Sequence, residues 1–228
     1  MKNKKKVVSV LFLLSAFFML ISAVYAQEIK FMLGGNLSKY RISPAVYYHS
    51  VLGDGYTYEI SSKKGFLLGV GIEFNLGRNI SFEIDALYLQ KCTKAHLSYS
   101  RLEIYVAPKK YTLHVISIPV LLKIKFLQGT SPYILGGHEL SLILSHGSKS
   151  SLDGETEDFI SRKEDTTTFE SSLVFGVGLE MKVKAASFFI EGRYHYGLNN
   201  IIKGHIDWES TKTRAVVLIL GLKIKFQK

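Results

Sequence analysis

Apolar and polar side chains alternate along most of the chain after residue 26. In residues 66–76 every even-numbered side chain is apolar, whereas Gly69, Gly71 and Glu73 stand among the intervening positions. The same pattern recurs clearly in residues 80–88, 116–126, 173–183 and 216–226, and less regularly in residues 28–40, 131–146 and 186–199. A period of two places alternate side chains on opposite faces of a β-strand. The pattern therefore predicts eight strands.

The links between these segments alternate in length. The short links are residues 77–79, 128–130 and 184–185. The long links, with approximate bounds, are loops 41–64, 93–112, 147–167 and 200–211. Tight turns on one side and longer loops on the other are typical of a barrel in the bacterial outer membrane, where the tight turns face the periplasm. We therefore expect an all-β, eight-stranded antiparallel transmembrane β-barrel with both termini on the periplasmic side.

The second face of the predicted strands carries six acids and seven bases. They are Lys30, Glu73, Glu83, Asp85, Lys123, Lys125, Glu139, Glu180, Lys182, Glu191, Arg193, Lys223 and Lys225. In a soluble barrel these charges would lie in solvent around an apolar core. In a membrane barrel they would point into an interior just wide enough for side chains, where charges must pair. The near balance of charge favours the membrane barrel, with these residues forming a charge network in its interior.

The first residues follow a different pattern. A basic head at residues 1–6 precedes an apolar run at residues 7–24, and Val24 and Ala26 flank a single residue before polar Gln27. This order is typical of a secretory signal peptide, and an uncleaved membrane anchor is the alternative. The predicted division is a cleaved signal peptide at 1–26 and a barrel domain at 27–228.

Charge and cysteine content exclude some classes of function. The formal net charge of +10 falls to +6 when the four lysines of residues 1–26 leave, and the remaining chain has no block of consecutive basic residues that would make a nucleic-acid-binding patch. We therefore expect no nucleic-acid partner. Cys92 is the single cysteine, so no internal disulfide is expected, and its side chain is either a small buried group or a reactive thiol.

Candidate catalytic groups are scattered. They are His49, His96, His138 and His146, with Asp54, Ser145 and Ser148 as neighbours. No spacing ties them into a catalytic set, and the seven histidines contain no pair with metal-ligand spacing. We therefore expect no catalytic residue, no metal and no cofactor. Trp208, in the last long loop, is interpreted either as an anchor at the membrane interface or as a contact to a partner.

The chain resembles the PorT-like outer-membrane β-barrel family of the Bacteroidetes over nearly all of residues 27–228. The resemblance rests on GGNLS at 34–38, GFLLG at 65–69, LYLQK at 87–91, IPVLLK at 118–123, PYILGG at 132–137, EGRYHYGLNN at 191–200 and LGLKIKF at 220–226. Cys92 stands where the family pattern usually has glycine. The resemblance implies a barrel fold and an outer-membrane location, and it assigns no activity.

These observations predict a multi-pass protein of the Gram-negative outer membrane that is not an enzyme. Its expected role is to present extracellular loops or to act as an accessory of an envelope or secretion complex. Its expected partners are outer-membrane lipids, the barrel-assembly machinery during insertion, and an envelope protein bound through the four long loops. The alternatives are a rim enzyme acting on lipid or peptide, and a pore for small solutes.

Overall fold

The computed structural model describes most of the chain after residue 27. The described residues are 28–43, 46–49, 54–99, 109–127, 129–152, 155–156, 160–183, 186–203 and 210–225. The predicted signal peptide at 1–26 lies outside these ranges, as does Trp208.

The described residues form eleven β-strands. They are β1 (Glu28–Ser43), β2 (Val46–His49), β3 (Asp54–Asn75), β4 (Ile80–Tyr99), β5 (Lys109–Lys125), β6 (Ser131–Leu152), β7 (Glu155–Thr156), β8 (Ile160–Ser161), β9 (Phe169–Val183), β10 (Ala186–Gly197) and β11 (Ser210–Lys225). No helix among the described residues is long and apolar enough to cross a bilayer.

The long strands pair antiparallel around a closed circuit. The pairing order is β1, β11, β10, β9, β6, β5, β4 and β3, and the circuit closes because β3 also pairs with β1. In that closing pair Glu28 lies opposite Glu73, and Ser38 lies opposite Lys63. The short strands are additions to this circuit, since β2 pairs with β3 whereas β7 and β8 pair with β6. The predicted all-β, antiparallel architecture is confirmed.

Strand length was predicted less well. β3 and β6 each have 22 residues and β4 has 20, so that parts of the expected loops 41–64, 93–112 and 147–167 belong to strands. Loop 200–211 also loses its last residues to β11. The apolar period disappears in these extensions while the backbone ladder continues. A sheet that has left the lipid can be polar on both faces, so its hydrophobic pattern no longer marks the strand.

Two of the three predicted tight links are confirmed as short connections, between β3 and β4 and between β5 and β6. In the first, the backbone amides of Leu76 and Gly77 both donate to the carbonyl oxygen of Ile80, at 3.0 and 3.2 Å. In the second, Gly129 has a φ of 86°. That left-handed conformation is open to glycine because it has no Cβ. The third link, residues 184–185, lies outside the described residues.

Apolar side chains point outward and form what is called here the apolar belt. Leu33, Leu68 and Val177 are 61–63% exposed, although each lies in the middle of a strand. The end of the barrel that holds Glu28 and Lys225 is the inner end, and the opposite end is the outer end. At its outer edge the belt ends with Leu37, Phe66, Tyr88, Ile116, Leu144, Phe169, Leu198 and Val216. An exposed apolar belt around a polar interior is the arrangement that lipid requires.

The interior contains an apolar layer above the charges of the inner end. Met32, Leu67, Leu87, Phe189 and Ile219 are each at most 4% exposed and belong to one cluster. The Phe189 ring lies 5.3–6.0 Å from the ammonium groups of Lys30, Lys123 and Lys223. The layer therefore rests directly on the charged groups below it.

Substitution of Gly137 by alanine is expected to impair barrel assembly. A Cβ at Gly137 would lie 2.0 Å from the carbonyl oxygen of Val120 and 3.0 Å from the Cα of Leu121, and both are backbone atoms of β5. Backbone cannot move aside as a flexible side chain can, so the sheet must distort. We expect a lower yield of the heat-modifiable folded band on unheated gels and a lower urea midpoint. Gly192→Ala is the matched control, since a Cβ at Gly192 meets nothing within 4 Å. Equal behaviour of the two variants would contradict the expected conflict.

Candidate functional site

Six acids and six bases meet in the interior at the inner end. This set, called the inner charge network, comprises Glu28, Lys30, Glu73, Glu83, Asp85, Lys123, Lys125, Glu180, Glu191, Arg193, Lys223 and Lys225. Except for Lys225, each of these residues is at most 7% exposed. The formal charges of the network therefore cancel.

Lys123 lies at the centre of this network. Its Nζ donates to Glu83 Oε1 at 2.9 Å and lies 3.5 Å from carboxylate oxygens of both Glu73 and Glu180. The same ammonium group sits 3.7 Å from the centre of the Tyr133 ring. Because these residues belong to β3, β4, β5, β6 and β9, one side chain connects strands from opposite parts of the circuit.

Arg193 organises the adjoining part of the network. Its Nη2 donates to Asp85 Oδ2 at 2.8 Å, and its Nε donates to Glu191. Glu191 also accepts a hydrogen bond of 2.7 Å from Tyr133 Oη, and Asp85 lies 3.3 Å from Lys30 Nζ. Burying these ions without partners would cost several kcal/mol each, so the mutual pairing is what makes the interior stable.

The structure brings together eleven of the thirteen residues predicted for the interior. Lys225 stands at the mouth, with its side chain 47% exposed and its Nζ 3.7 Å from Glu28. Glu139 is buried further up the interior. The prediction for Lys182 was wrong, because this side chain is exposed, one residue before the inner end of β9. There the strand has reached water, so alternation no longer decides what a side chain faces.

A second group of polar side chains lies nearer the outer end. Lys91 Nζ is 2.8 Å from Glu170 Oε2 and 3.4 Å from Thr213 Oγ1. His195 Nδ1 lies 3.0 Å from Glu139 Oε2, and all four titratable side chains are buried. Sequence reasoning missed Lys91, Glu170 and His195. Two of them could have been found, because Lys91 continues the inward positions of β4 and His195 continues those of β10 after Glu191 and Arg193.

Ser141 lies beside the Glu139 carboxylate. Its Oγ donates to Glu139 Oε1 at 3.2 Å and lies 2.6 Å from Ser117 Oγ. Serine, glutamate and histidine are residue types of hydrolytic sites, but such a site needs the serine bonded to the histidine and open to substrate. Here the serine bonds to the glutamate, and Ser141, Glu139 and His195 are each 0% exposed.

Two connecting segments fold over the outer end of the interior, and they are called the cap: residues 162–168 and 199–203. The amide of Thr167 donates to Ile201 O at 2.8 Å, and the amide of Lys203 donates to Asp165 O at 2.7 Å. Ile201 is fully buried. The cap thus joins the segment between β8 and β9 to the segment after β10, and Ile201 and Ile202 belong to the buried apolar cluster of the interior.

His146 connects the cap to the wall of the barrel beyond the outer edge of the apolar belt. Its Nε2 lies 3.1 Å from Tyr40 Oη and its Nδ1 lies 2.8 Å from Thr166 Oγ1. Thr166 Oγ1 donates to Arg162 O, so the histidine donates from Nδ1 and accepts at Nε2, as a neutral imidazole does. Burial and the nearby Arg162 guanidinium lower the pKa of His146 to about 4.

The other candidate residues are not brought together. His138 points outward from β6 and its Nε2 lies 2.8 Å from Ser171 Oγ, whereas Cys92 is 2% exposed and its backbone amide donates to Ser38 Oγ at 2.6 Å. The side chains of His49 and Asp54 lie outside the described part of the chain. In that described part, no three His, Cys, Asp or Glu side chains are grouped as metal ligands.

Comparison with known proteins identifies the family. The sequence profile of the outer membrane protein β-barrel domain matches residues 25–203. The chain belongs to this family. The chain is therefore a multi-pass protein of the outer membrane, and its apolar belt faces the lipid. No curated protein matches its sequence.

Several solved outer-membrane proteins resemble the barrel domain in fold. Neisserial surface protein A is 17% identical, with 87% of this chain and 97% of that chain covered and a TM-score of 0.44. OprG from Pseudomonas aeruginosa is 15% identical, with 90% and 98% covered and a TM-score of 0.47. The outer membrane protease OmpT from Escherichia coli is 10% identical, with 88% and 97% covered and a TM-score of 0.44.

Replacing Lys123 by methionine is expected to lower the free energy of unfolding by roughly 3–5 kcal/mol. The change removes the cation between Glu73, Glu83 and Glu180 and leaves their buried carboxylates in mutual repulsion. Urea titration of the folded gel band measures the loss. Lys182→Met is the control, because it removes the same charge from an exposed position and should change stability by less than about 0.5 kcal/mol. Glu83→Gln combined with Lys123→Met should recover part of the loss, and no recovery would argue against charge pairing as the cause.

Acidification is expected to open the cap. An imidazole in the open state titrates near 6.5, whereas the closed state holds the pKa of His146 at about 4. The closed cap is therefore most stable above pH 6.5 and loses stability as the pH falls towards 4, by on the order of 3 kcal/mol in total. Hydrogen exchange at the amides of Thr167 and Lys203, corrected for intrinsic rates, reports this opening. His146→Gln should remove the dependence, and the same pH profile in both proteins would contradict it.

Proposed function

We propose that the chain is a non-enzymatic scaffold of the outer membrane: a closed, eight-stranded transmembrane barrel that presents its outer strands and loops to an envelope protein. It would be exported by the signal peptide at 1–26 and would belong to the PorT-like members of its family. The observation that carries this proposal is the filled interior. A barrel whose interior is filled by its own side chains has no room for a ligand inside, so a binding partner would contact its outer surface.

Three layers support the view of a closed barrel. The inner charge network occupies the inner end, the apolar layer around Phe189 lies above it, and the cap covers the outer end. Eight strands leave room for side chains but for no wide aqueous channel. The interior therefore gives little support to the alternative of a solute pore. The burial of Ser141, Glu139 and His195 likewise gives little support to an enzyme that acts on external substrates.

The outer extensions support the second half of the proposal. β6 continues for eight residues beyond Leu144, and β5 begins at Lys109, well beyond the belt edge at Ile116. Strands that leave the membrane are rigid supports for the loops they carry, and binding residues concentrate on loops held in this way. The proposed partner contact therefore involves these extensions and the loops 41–64, 93–112, 147–167 and 200–211 between the strands.

Photocrosslinking in intact cells tests the scaffold role. A crosslinking amino acid at position 109 or 149, on the outer extensions, is expected to give a discrete adduct with an envelope protein. The same amino acid at position 182, on the inner end, is the control and should not give that adduct. Adducts with lipid alone from the outer positions would contradict the role. A steady current from the purified protein in planar bilayers would instead favour the pore.

A further inference from the structure

Basic side chains cluster on one side of the barrel, immediately beyond the outer edge of the apolar belt. They lie on the adjacent strands β11, β1 and β3 and are Lys39, Arg41, Lys64, Lys212 and Arg214. On each strand the first of them follows the last belt residue closely: Lys39 is two positions from Leu37, and Lys64 is two positions from Phe66. This cluster, called the basic face, therefore lies at the depth where lipid headgroups meet the barrel.

The strand register places these like charges beside one another. Lys39 lies opposite Arg214, and Arg41 lies opposite Lys212. Lys64 lies opposite Leu37, which is two positions from Lys39 on the same face of β1. Like charges opposite each other destabilise a sheet. In the described part of the chain, none of these five side chains has a carboxylate within the 4.0 Å of an ion pair. Among the described residues nothing relieves their repulsion, and an anion from outside would relieve it.

Arg214 is held in place within the basic face. Its Nη1 donates to Gly197 O at 2.7 Å and to Thr213 O at 2.8 Å, and its guanidinium stacks 3.4 Å from the centre of the Tyr196 ring. The residue is only 6% exposed. A cation fixed by carbonyl groups and an aromatic ring keeps its full charge, since carbonyls do not neutralise it. It therefore contributes a positioned positive charge behind the exposed lysines.

An apolar groove lies on the same side of the barrel, within the belt. Its volume is about 730 Å³ and its outward-facing lining includes Phe31, Leu33, Leu68, Val70, Ala86 and Leu220. The small side chain of Ala86 leaves space between larger neighbours. Lys64 and Val70 are six residues apart on β3, which is roughly 20 Å along a strand and about 15 Å in depth at the usual tilt. That depth equals one leaflet of a bilayer core about 30 Å thick.

We propose that β11, β1 and β3, together with Ala86 of β4, form a binding site for a phosphate-bearing lipid of the outer leaflet. The phosphate is bound by the basic face, chiefly Lys39, Lys64 and Lys212 with Arg214 behind them, and an acyl chain occupies the groove beside Ala86. Lysine and arginine are the side chains that recognise phosphate. The groove favours a lipid over a free anion, because its apolar lining extends from the level of the basic face towards the middle of the membrane. The proposal depends on the outer-membrane location and is independent of the protein-partner role proposed above.

Binding of a diphosphorylated lipid A to the full-length protein tests the site. The protein is reconstituted in phosphatidylcholine nanodiscs, and retention of the glycolipid is measured by native mass spectrometry. Exposed basic residues near a membrane contribute about fivefold in affinity each. The variant Lys39→Gln, Lys64→Gln, Lys212→Gln should therefore lose about 100-fold. The dephosphorylated glycolipid should bind both proteins equally weakly.

The chain offers a control with the same change of charge. Lys94, Lys110 and Lys149 lie side by side on β4, β5 and β6, also at the outer end but off the three strands β11, β1 and β3 that carry the basic face. Lys94→Gln, Lys110→Gln, Lys149→Gln should change lipid retention by less than about threefold. An equal loss in both triple variants would overturn the proposal, since it would indicate attraction to net charge alone.

A second variant separates the lipid from a free anion. Ala86→Phe fills the groove without changing the charge of the protein. Because residue 86 faces lipid, this change does not disturb the packing of the interior. It should weaken lipid A retention at least about tenfold while leaving any retention of inorganic phosphate or a sulfated oligosaccharide unchanged. Unaltered lipid retention in Ala86→Phe, or tighter binding of the free anions than of the lipid, would overturn the assignment of the groove.

Discussion

The closure of the sheet through the pairing of β1 with β3 is the constraint on which the other features depend. Inside a bilayer no water is present to bond backbone amides and carbonyls, so every strand must find partners on both sides. The register from Glu28 opposite Glu73 to Ser38 opposite Lys63 provides this at the one place where the circuit could have remained open. Once the sheet is closed, each strand has one face towards lipid and the other towards a narrow interior.

The polar character of the interior follows from that closure. Charged side chains that cannot face lipid must lie inside, and there they are stable only in pairs. The inner charge network meets this condition with six acids and six bases, and Lys123 illustrates how a single ammonium group is shared by three carboxylates. The Phe189 ring lies close to the ammonium groups of this network, and the cap lies at the outer end. The interior is thus a structural core made largely of ions, and the proposed binding is left to the outer surface.

The same residue types behave differently on the two faces of one strand. On β1, Lys30 points inward and is paired with Glu83 and Asp85, whereas Lys39 points outward next to Arg214. The interior lysine has its counter-charge within the protein. The outer lysine lies at the level of the headgroups, where its counter-charge can come from the membrane. A change of orientation along one strand therefore separates a role in stability from the proposed role in recognition.

The sequence by itself determined which side chains share a face and which face meets lipid. Alternation is a local property of the strand, so it identified Glu73, Glu83 and Lys123 as interior residues and predicted the tight turns after β3 and β5. It did not reveal the ends of the strands, because the extensions beyond the lipid are polar on both faces, and it placed Lys182 wrongly for the same reason at the inner end.

Only the tertiary structure decided which charges are partners. Lys223 and Glu73 are 150 residues apart and meet because the circuit closes, and no local pattern contains that distance. The contact of His146 with Thr166 and the alignment of Lys39 with Arg214 depend in the same way on folded connections and strand register. Local alternation sets the direction in which each side chain points. The closed sheet sets which partners that side chain meets, because the register of the sheet aligns strands that are distant in sequence.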